Sequence, residues 1–377
     1  MELTTKDAST RKRSVALVGL VLGVALLQRG LTVLMIAGGV GQDKLVSSLM
    51  AYDSLWYGRV VEHGYQLAGE AGLKISSLAF FPLFPGMAKA LTLVTGASTS
   101  TALLALAFVG SVLAAWPIFA IGRHLYSARV GLVLTLLWGA SPQSFVLVMG
   151  YPEGWFTAAT AWALLFMMQR RPLPAAVAVT MAGLLRPSAV PLVAVMVVWC
   201  FLQWRRDPLR RLRWPAAAML APVGLASFVA YTAWRMDDLF GYFAVQKQWN
   251  LQMGGPWAFW EQITEQLRSS NALLISVDLY VPIILGYVVL LVLLMGWWRK
   301  TDHGWMVLYT LLASLLILSR STYFWSEPRQ FLPLFPLLIP LATIRTSAWA
   351  WGAVIVGLTM ATGAFGGAFL AAMQYSP

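Results

Sequence analysis

Eleven stretches of nearly uninterrupted apolar residues punctuate the chain, at roughly 15–40, 99–121, 130–148, 154–169, 173–185, 188–204, 214–234, 276–298, 304–319, 331–344 and 347–371. Most approach the ~20 residues that cross a hydrocarbon core as helix. Their apolar positions run together instead of alternating, which disfavours a membrane β-barrel. The pattern predicts an all-α polytopic membrane protein with about eleven transmembrane helices in one integral-membrane domain over 1–377. The pattern conflicts with itself between Leu173 and Trp204, where arginines bound both ends. A single crossing would strand one cluster on the wrong side. A break at Arg186-Pro187 resolves this, because the residue before a proline disfavours helix. Short, broken helices are tolerated where they line an enclosed cavity, so the break puts Arg186 near the floor of an outward-facing one.

Two linkers exceed connector length, 41–98 and 235–275, and both are rich in tryptophan and tyrosine. Such aromatics suit helices lying in the membrane interface, and Phe81–Val94 reads as another such helix or a re-entrant one. The short linkers carry the topology. Lys6, Arg11, Lys12, Arg13, Arg123, Arg129, Arg170, Arg171, Arg205, Arg206, Arg210, Arg211, Arg213, Arg299, Lys300 and Arg345 fall on one side if every segment crosses, which makes that side cytoplasmic. Asp43, Asp53, Glu62, Glu70, Glu153, Asp237, Asp238, Glu261, Glu265, Asp278 and Glu327 fall on the other. The expected topology is an N-terminus in the cytoplasm and a polar working surface outside it.

Composition agrees: 59% of residues are hydrophobic and 11% charged, against about 25% charged in soluble chains. The net charge of +12 would suit nucleic acid if it formed a patch. Dispersed over short cytoplasmic loops, it reflects the positive-inside bias and argues against such a partner. Residues 15–40 are too long for a signal-peptide core and lack a small-residue cleavage site, so a retained helix is expected. Cys200 is the one cysteine, which excludes an intramolecular disulfide.

The most polar stretch near the start runs from Ala51 to Pro85. Asp53 stands just beyond the first helix among Tyr52, Trp56 and Tyr57. A carboxylate at a cavity rim is placed to accept the proton of an attacking hydroxyl, although a loop aspartate also commonly caps the helix that follows. Glu153, in the outer turn MGYPEGWF, is a second acid that would orient an acceptor or assist Asp53; otherwise it is a plain interfacial acid. Arginine matches phosphate oxygens with a planar fork and stays charged. Arg29, Arg186, Arg320 and Arg329 lie in or near the outer half. Arg29 and Arg186 are embedded in apolar runs, which marks a functional group by default or a partner for an acid in the bundle. His63 would donate to phosphate or sugar, or serve as a structural hydrogen-bonding group. The aromatics Trp56, Tyr57, Tyr65 and Tyr151 are candidates for holding sugar and acceptor. Metal binding has little support: His124 and His303 fall on the cytoplasmic side, and no His/Cys/carboxylate set has ligand spacing. No phosphate-cradling glycine loop is present, and Asp237-Asp238 lacks the spaced Asp-x-Asp of nucleotide-sugar enzymes.

Four stretches carry a family resemblance. Asp53 before Trp56-Tyr57, His63-Gly64-Tyr65 and Phe80-Phe81-Pro82-Leu83-Phe84-Pro85 resemble the first luminal loop of the GPI mannosyltransferase II (PIG-V) family and its bacterial relatives, with Tyr52 where the family usually has Trp. Ser326-Glu327-Pro328-Arg329-Gln330-Phe331-Leu332-Pro333-Leu334-Phe335-Pro336 resembles the late loop-to-helix motif of its bacterial members. Leu184-Leu185-Arg186-Pro187-Ser188 is similar to a mid-chain Thr-Arg-Pro segment, with Leu185 in place of Thr, and the Glu153 turn resembles a Tyr-Ser-Glu turn with Pro152 at the small polar position.

The resemblance implies a GT-C-type bundle that transfers mannose, with inversion, from polyprenyl-phosphate mannose to an extracytoplasmic glycolipid or glycan acceptor, without a cofactor. In it Asp53 is the base, Arg329 favoured over Arg320 for the donor phosphate, with Arg186, His63 and Arg29 as further phosphate candidates, and Glu153 positions the acceptor. A bacterial plasma membrane is the expected location. A lipid transporter or flippase shares the many helices and intramembrane arginines, but places its polar groups at midplane between repeated halves, and no repeat is visible. A catalytically silent assembly subunit is the third reading.

Overall fold

The computed structural model describes residues 2–206, 212–250, 254–255, 257, 260–261, 264, 274–298, 304–320 and 326–372, with side chains outside 2–14, 274–282 and 297–298. Arg210, Arg211, Glu265, Arg299, Lys300, His303 and most of 251–273 lie outside the described residues, as do the side chains of Lys6, Arg11, Lys12, Arg13 and Asp278.

Among the described residues the chain is an all-helical membrane bundle. α1 (Glu2–Val40) is followed in the first long loop by α2 (Leu45–Leu49), α3 (Asp53–His63) and α4 (Leu83–Thr95). Then come α5 (Thr99–Leu113), α6 (Ala115–Leu125), α7 (Ala128–Gly139), α8 (Glu153–Met168), α9 (Pro172–Leu185), α10 (Val190–Arg206), α11 (Arg213–Leu220), α12 (Val223–Met236) and α13 (Gly241–Gln248). The last described helices are α14 (Leu274–Trp298), α15 (Gly304–Leu318), α16 (Glu327–Gln330), α17 (Ile339–Ala342) and α18 (Ala348–Ala372). Among the described residues, five stretches are long and apolar enough to cross a membrane by length and composition: Val15–Val40, Thr99–Leu125, Pro187–Arg206, Arg213–Met236 and Ala348–Ala372. The other apolar helices are shorter, apart from α14 with its 25 residues.

Local chemistry sets the boundaries. Ser98 and Ser127 accept from the backbone N–H of Thr101 and Val130, capping α5 and α7. α4 stops at Gly96, whose φ of +69° is the left-handed conformation that only glycine adopts freely. α9 ends at Leu185 and the chain resumes as helix at Val190, so the break at Arg186-Pro187 falls where the charge pattern predicts it.

Two expected spans are not continuous helix. In 130–148, α7 stops at Gly139; Pro142 and Gln143, the latter at φ +65°, lead into a 3-10 stretch, Ser144–Val148. In 331–344, Pro333, Pro336 and Pro340 each remove a backbone donor. The chain there is a buried 3-10 run, Leu332–Leu338, before α17, with Trp138 Nε1 donating to the Leu332 carbonyl at 2.9 Å. Apolar content registers burial; prolines decide whether the buried backbone can be α-helical.

The first long loop is folded onto the bundle. Phe84, Pro85 and Ala88 of α4 face inward, while Leu93 and Val94 near its end are exposed, the division expected of a helix in the interface. Leu78 and Phe81 pack with Phe228 of α12 and Val245 of α13. Gln248 Oε1 accepts from Ser76 N, and Trp249 Nε1 donates to Ser76 O. The first long loop and the described start of the second therefore hold each other.

Helix contacts that position the functional residues are tight at glycines. A Cβ on Gly154 would stand 2.5 Å from Ser111 N of α5, and one on Gly110 would meet the Trp155 ring. Gly154→Ala is expected to push α8 from α5 and to cost about 1–3 kcal/mol of stability, the scale of overpacking. A thermal-unfolding midpoint in detergent measures this; an unchanged midpoint would mean the two helices part without cost.

Candidate active site

Five parts of the chain, distant in sequence, converge at the loop end of the bundle: the start of α3, the start of α8, the α9–α10 break, the end of α15 and α16. Asp53 is the first residue of α3 and Glu153 the first of α8, where the helix dipole favours a carboxylate. Gly150 N donates to Leu49 O at 3.1 Å and Ser54 Oγ to the same carbonyl, tying the turns that precede the two acids. Tyr52, immediately before Asp53, has φ +57°, an uncommon and costly conformation for a bulky residue. That strain sits at the residue that aims α3.

The charges form a chain. Arg329 Nη2 donates to Asp53 Oδ2 at 2.6 Å, and its Nε stands 3.8 Å from Glu153 Oε1. Glu153 Oε1 accepts in turn from Arg186 Nη1. Arg329 also lies over the Tyr151 ring, 4.9 Å from its centroid, a cation–π contact. Exposure separates the roles: the Glu153 side chain is 2% exposed and Arg329 7%, whereas Asp53 is 26% exposed. Burial by itself lowers the Arg329 pKa, but Asp53, Tyr151 and Glu153 more than offset it and hold this guanidinium above its usual value. Burial, with help from Arg186, lowers Arg320 to about 10, so it stays charged at neutral pH. Tyr57 is buried beside these groups, and that burial raises its hydroxyl above the usual range, keeping it protonated.

Asp53, Arg186, Arg320 and Arg329 line one cavity of about 150 Å³ with Tyr57, Phe80, Phe81, Ser188, Gln246, Trp249, Ser326 and Gln330. Three guanidiniums and one carboxylate around a small partly enclosed space suit an anion with an adjoining polar group. Arg320 donates to Gln330 Oε1. Among the described residues no three His, Cys, Asp or Glu side chains come together as a metal site would require.

Of the residues singled out in the sequence, Asp53, Tyr57, Arg186, Arg320 and Arg329 meet at this cavity, and Glu153 and Tyr151 are buried beside Arg329. Arg29 is placed elsewhere. It is buried between α1 and α7, donates to Gly139 O at 2.6 Å and to Ser144 O, and stands over Trp138, so backbone carbonyls occupy it away from the cavity. His63 lies at the far end of α3, 60% exposed and near Glu62, in a separate groove with Arg59 and Thr99. Its position, ten residues after Asp53 on an 11-residue helix, removes it from the arginines. Trp56 faces that groove and stacks on Phe80. Tyr65 donates to Phe80 O at 2.7 Å and packs against Phe228 and Tyr231, a structural place. Gln246 and Trp249 are not distinguished by the sequence, and Ser188 and Gln330 stand in its motifs without a role assigned to them. Gln330 adjoins Arg329 and was within reach of it; nothing local distinguishes Gln246.

Replacing Arg329 strips Asp53 of its partner and leaves buried Glu153 with Arg186 alone. Arg329→Ala is expected to cost about 3–5 kcal/mol, the scale of breaking a buried pair from one side. Thermal denaturation in detergent tests it, and a midpoint within experimental error of wild type would show that the chain of charges contributes nothing to stability.

No family model matches the chain, and no curated protein matches it. Solved structures do. ArnT from Cupriavidus metallidurans bound to undecaprenyl phosphate is similar at 14% identity with a TM-score of 0.56, over 89% of this chain and 63% of that one. The same protein in the apo state is similar at 15% identity with a TM-score of 0.55, over 92% of this chain. The chain thus spans 63% of the length of the ArnT chains it matches. The likeness is one of fold: the helical bundle is arranged as in these ArnT structures.

Proposed function

We propose that the protein is a GT-C glycosyltransferase that takes a sugar from a polyprenyl-phosphate carrier and transfers it to an acceptor hydroxyl outside the cytoplasm. The observation that carries this reading is the grouping of Asp53 with Arg186, Arg320 and Arg329 around one cavity. A fold shared with ArnT, one structure of which holds undecaprenyl phosphate, supports a lipid phosphate as the anion. Mannose as the sugar and a bacterial glycolipid or glycan as the acceptor follow the PIG-V resemblance of the motifs at Asp53, Glu153, Arg186 and Arg329.

In this reading the acceptor oxygen attacks the anomeric carbon from the face opposite the phosphate. The new carbon–oxygen bond forms as the bond to the phosphate oxygen breaks, inverting the centre. Asp53 takes the proton of the attacking hydroxyl, and the electron pair of the broken bond leaves on the polyprenyl phosphate. Arg329, Arg320 and Arg186 stabilise the charge that grows there, the larger electrostatic part of such catalysis. Tyr57, protonated, remains available as a donor at the cavity wall.

A flippase would need its charges at the membrane midplane between repeated halves; here they sit among loop and helix-end residues at one end of the bundle. The discriminating experiment is sugar transfer by purified protein in liposomes with radiolabelled polyprenyl-phosphate mannose and a lipid extract as acceptor pool. Asp53→Asn is expected to lower turnover by at least roughly 10²-fold, the contribution of a general base, while leaving donor binding intact. Near-wild-type turnover by Asp53→Asn would sink the catalytic assignment. Labelled donor crossing to the other leaflet with both proteins, without product, would favour the flippase.

A further inference from the structure

Glu153 is too deeply buried for a group that meets an acceptor. Its side chain is 2% exposed and it does not line the cavity that Asp53 and the three arginines share. Its neighbours are the arginines themselves: Oε1 accepts from Arg186 and stands 3.8 Å from Arg329 Nε. Its other oxygen, Oε2, is buried without a hydrogen-bond partner, and so are Nε and Nη1 of Arg329. A buried acceptor and two buried donors, each lacking a partner and lying side by side, are an uncommon arrangement. It is the arrangement of a contact that has not yet closed. Arg329 is meanwhile held from its other side by Asp53, through Nη2 at 2.6 Å.

We propose, resting on the functional reading above, that Glu153 is a positioning residue: it shares Arg329 with Asp53 and receives the guanidinium when the donor's phosphate seats, leaving the Asp53 carboxylate for the acceptor proton. The groups for each step are present. The phosphate brings acceptor oxygens to the cavity that Arg329 lines. Drawn toward the phosphate, Arg329 gives up its bond to Asp53, and Glu153 offers two oxygens of which one is unused. An arginine between two carboxylates moves between them at little net electrostatic cost, because each displacement exchanges one charge-assisted hydrogen bond for another. Arg186 keeps Glu153 in place throughout and faces the same cavity. The base is therefore freed by the donor, so the site is expected to bind donor before it activates acceptor.

The charge of Glu153 is what the role needs, so Glu153→Gln is the informative change: the amide oxygen still accepts from Arg186. With the charge gone, Asp53 is the stronger claimant on Arg329 and the base stays paired. The expected result is a kcat reduced by roughly ten- to a hundredfold, the scale of one hydrogen bond to a charged group. Donor KM and the affinity for polyprenyl phosphate alone should not weaken, since a negative charge has left the neighbourhood of an anion, and acceptor KM should not change. Because Glu153 acts through Arg329, adding Glu153→Gln to Arg329→Gln should lower kcat no further; independent effects would add.

Three outcomes overturn the proposal: a risen acceptor KM, which would make Glu153 an acceptor contact; full additivity with Arg329→Gln; or a lowered unfolding midpoint with kcat unchanged. If Glu153→Gln does not fold, Glu153→Asp, which keeps the charge but falls about one bond short of Arg329, is read in the same way. Wild-type protein that neither binds polyprenyl phosphate nor transfers sugar breaks the functional reading instead. Wild type that does both, beside a Glu153→Gln protein of unchanged kcat, breaks this inference alone.

Discussion

Arg329 joined to Asp53 on one side and drawn to Glu153 on the other is the contact on which the rest of the site depends. Ionised groups buried as deeply as Arg329 and Glu153 are costly unless each finds opposite charge within a few ångströms. Here the compensation comes from four separate stretches of chain: the start of α3, the start of α8, the α9–α10 break and α16. None of these stretches can hold its charge in that position alone. Once they meet, each element end is fixed by the next.

The irregular backbone serves the same end. Arg186 is presented by a helix that stops, Glu153 by one that starts, and Arg329 by a four-residue helix before a proline-rich 3-10 run. Helix interiors point side chains outward from an axis in a fixed rotation. At a helix end the chain changes direction, so the terminal side chain is released from that rotation and can be turned toward a neighbouring element. The membrane tolerates such backbone only where protein encloses it, and Tyr287 stacked on Phe331, with Trp138 bonded to Leu332 O, provides that enclosure.

Much of this was legible in the residues. Apolar run length revealed the helices, because hydrocarbon thickness imposes it directly. The charge conflict around 173–204 located the break at Pro187, since a local steric rule and a global topology rule agreed. Asp53, Arg186 and Arg329 stood out through residue type against an apolar background. Partnership was what a linear reading lacked. Arg29 and Arg186 look alike in sequence, each a lone cation in an apolar run, yet Arg29 is occupied by carbonyls that α7 leaves free after Gly139, and Arg186 by a carboxylate. His63 failed for a geometric reason: it is close to Asp53 along the chain and far from the arginines in space, because α3 is straight. Segments 130–148 and 331–344 read as helix because hydropathy is blind to missing backbone donors.

α1 and α18 bring opposite ends of the described chain together. A Cβ on Gly39 would stand 2.8 Å from Gly367 Cα, Gly363 sits against Met35, and Gln28 Nε2 donates to both Thr359 Oγ1 and Leu136 O. α1 precedes α7 and α18 in the chain and carries Gln28 and Arg29 within an apolar run, while their partners belong to those later segments. Until those arrive, the two side chains must be accommodated by the insertion machinery, by water or by lipid headgroups. Assembly in the bilayer is accordingly circular: α1 enters before its partners and reaches its final surroundings only once α18 has followed it.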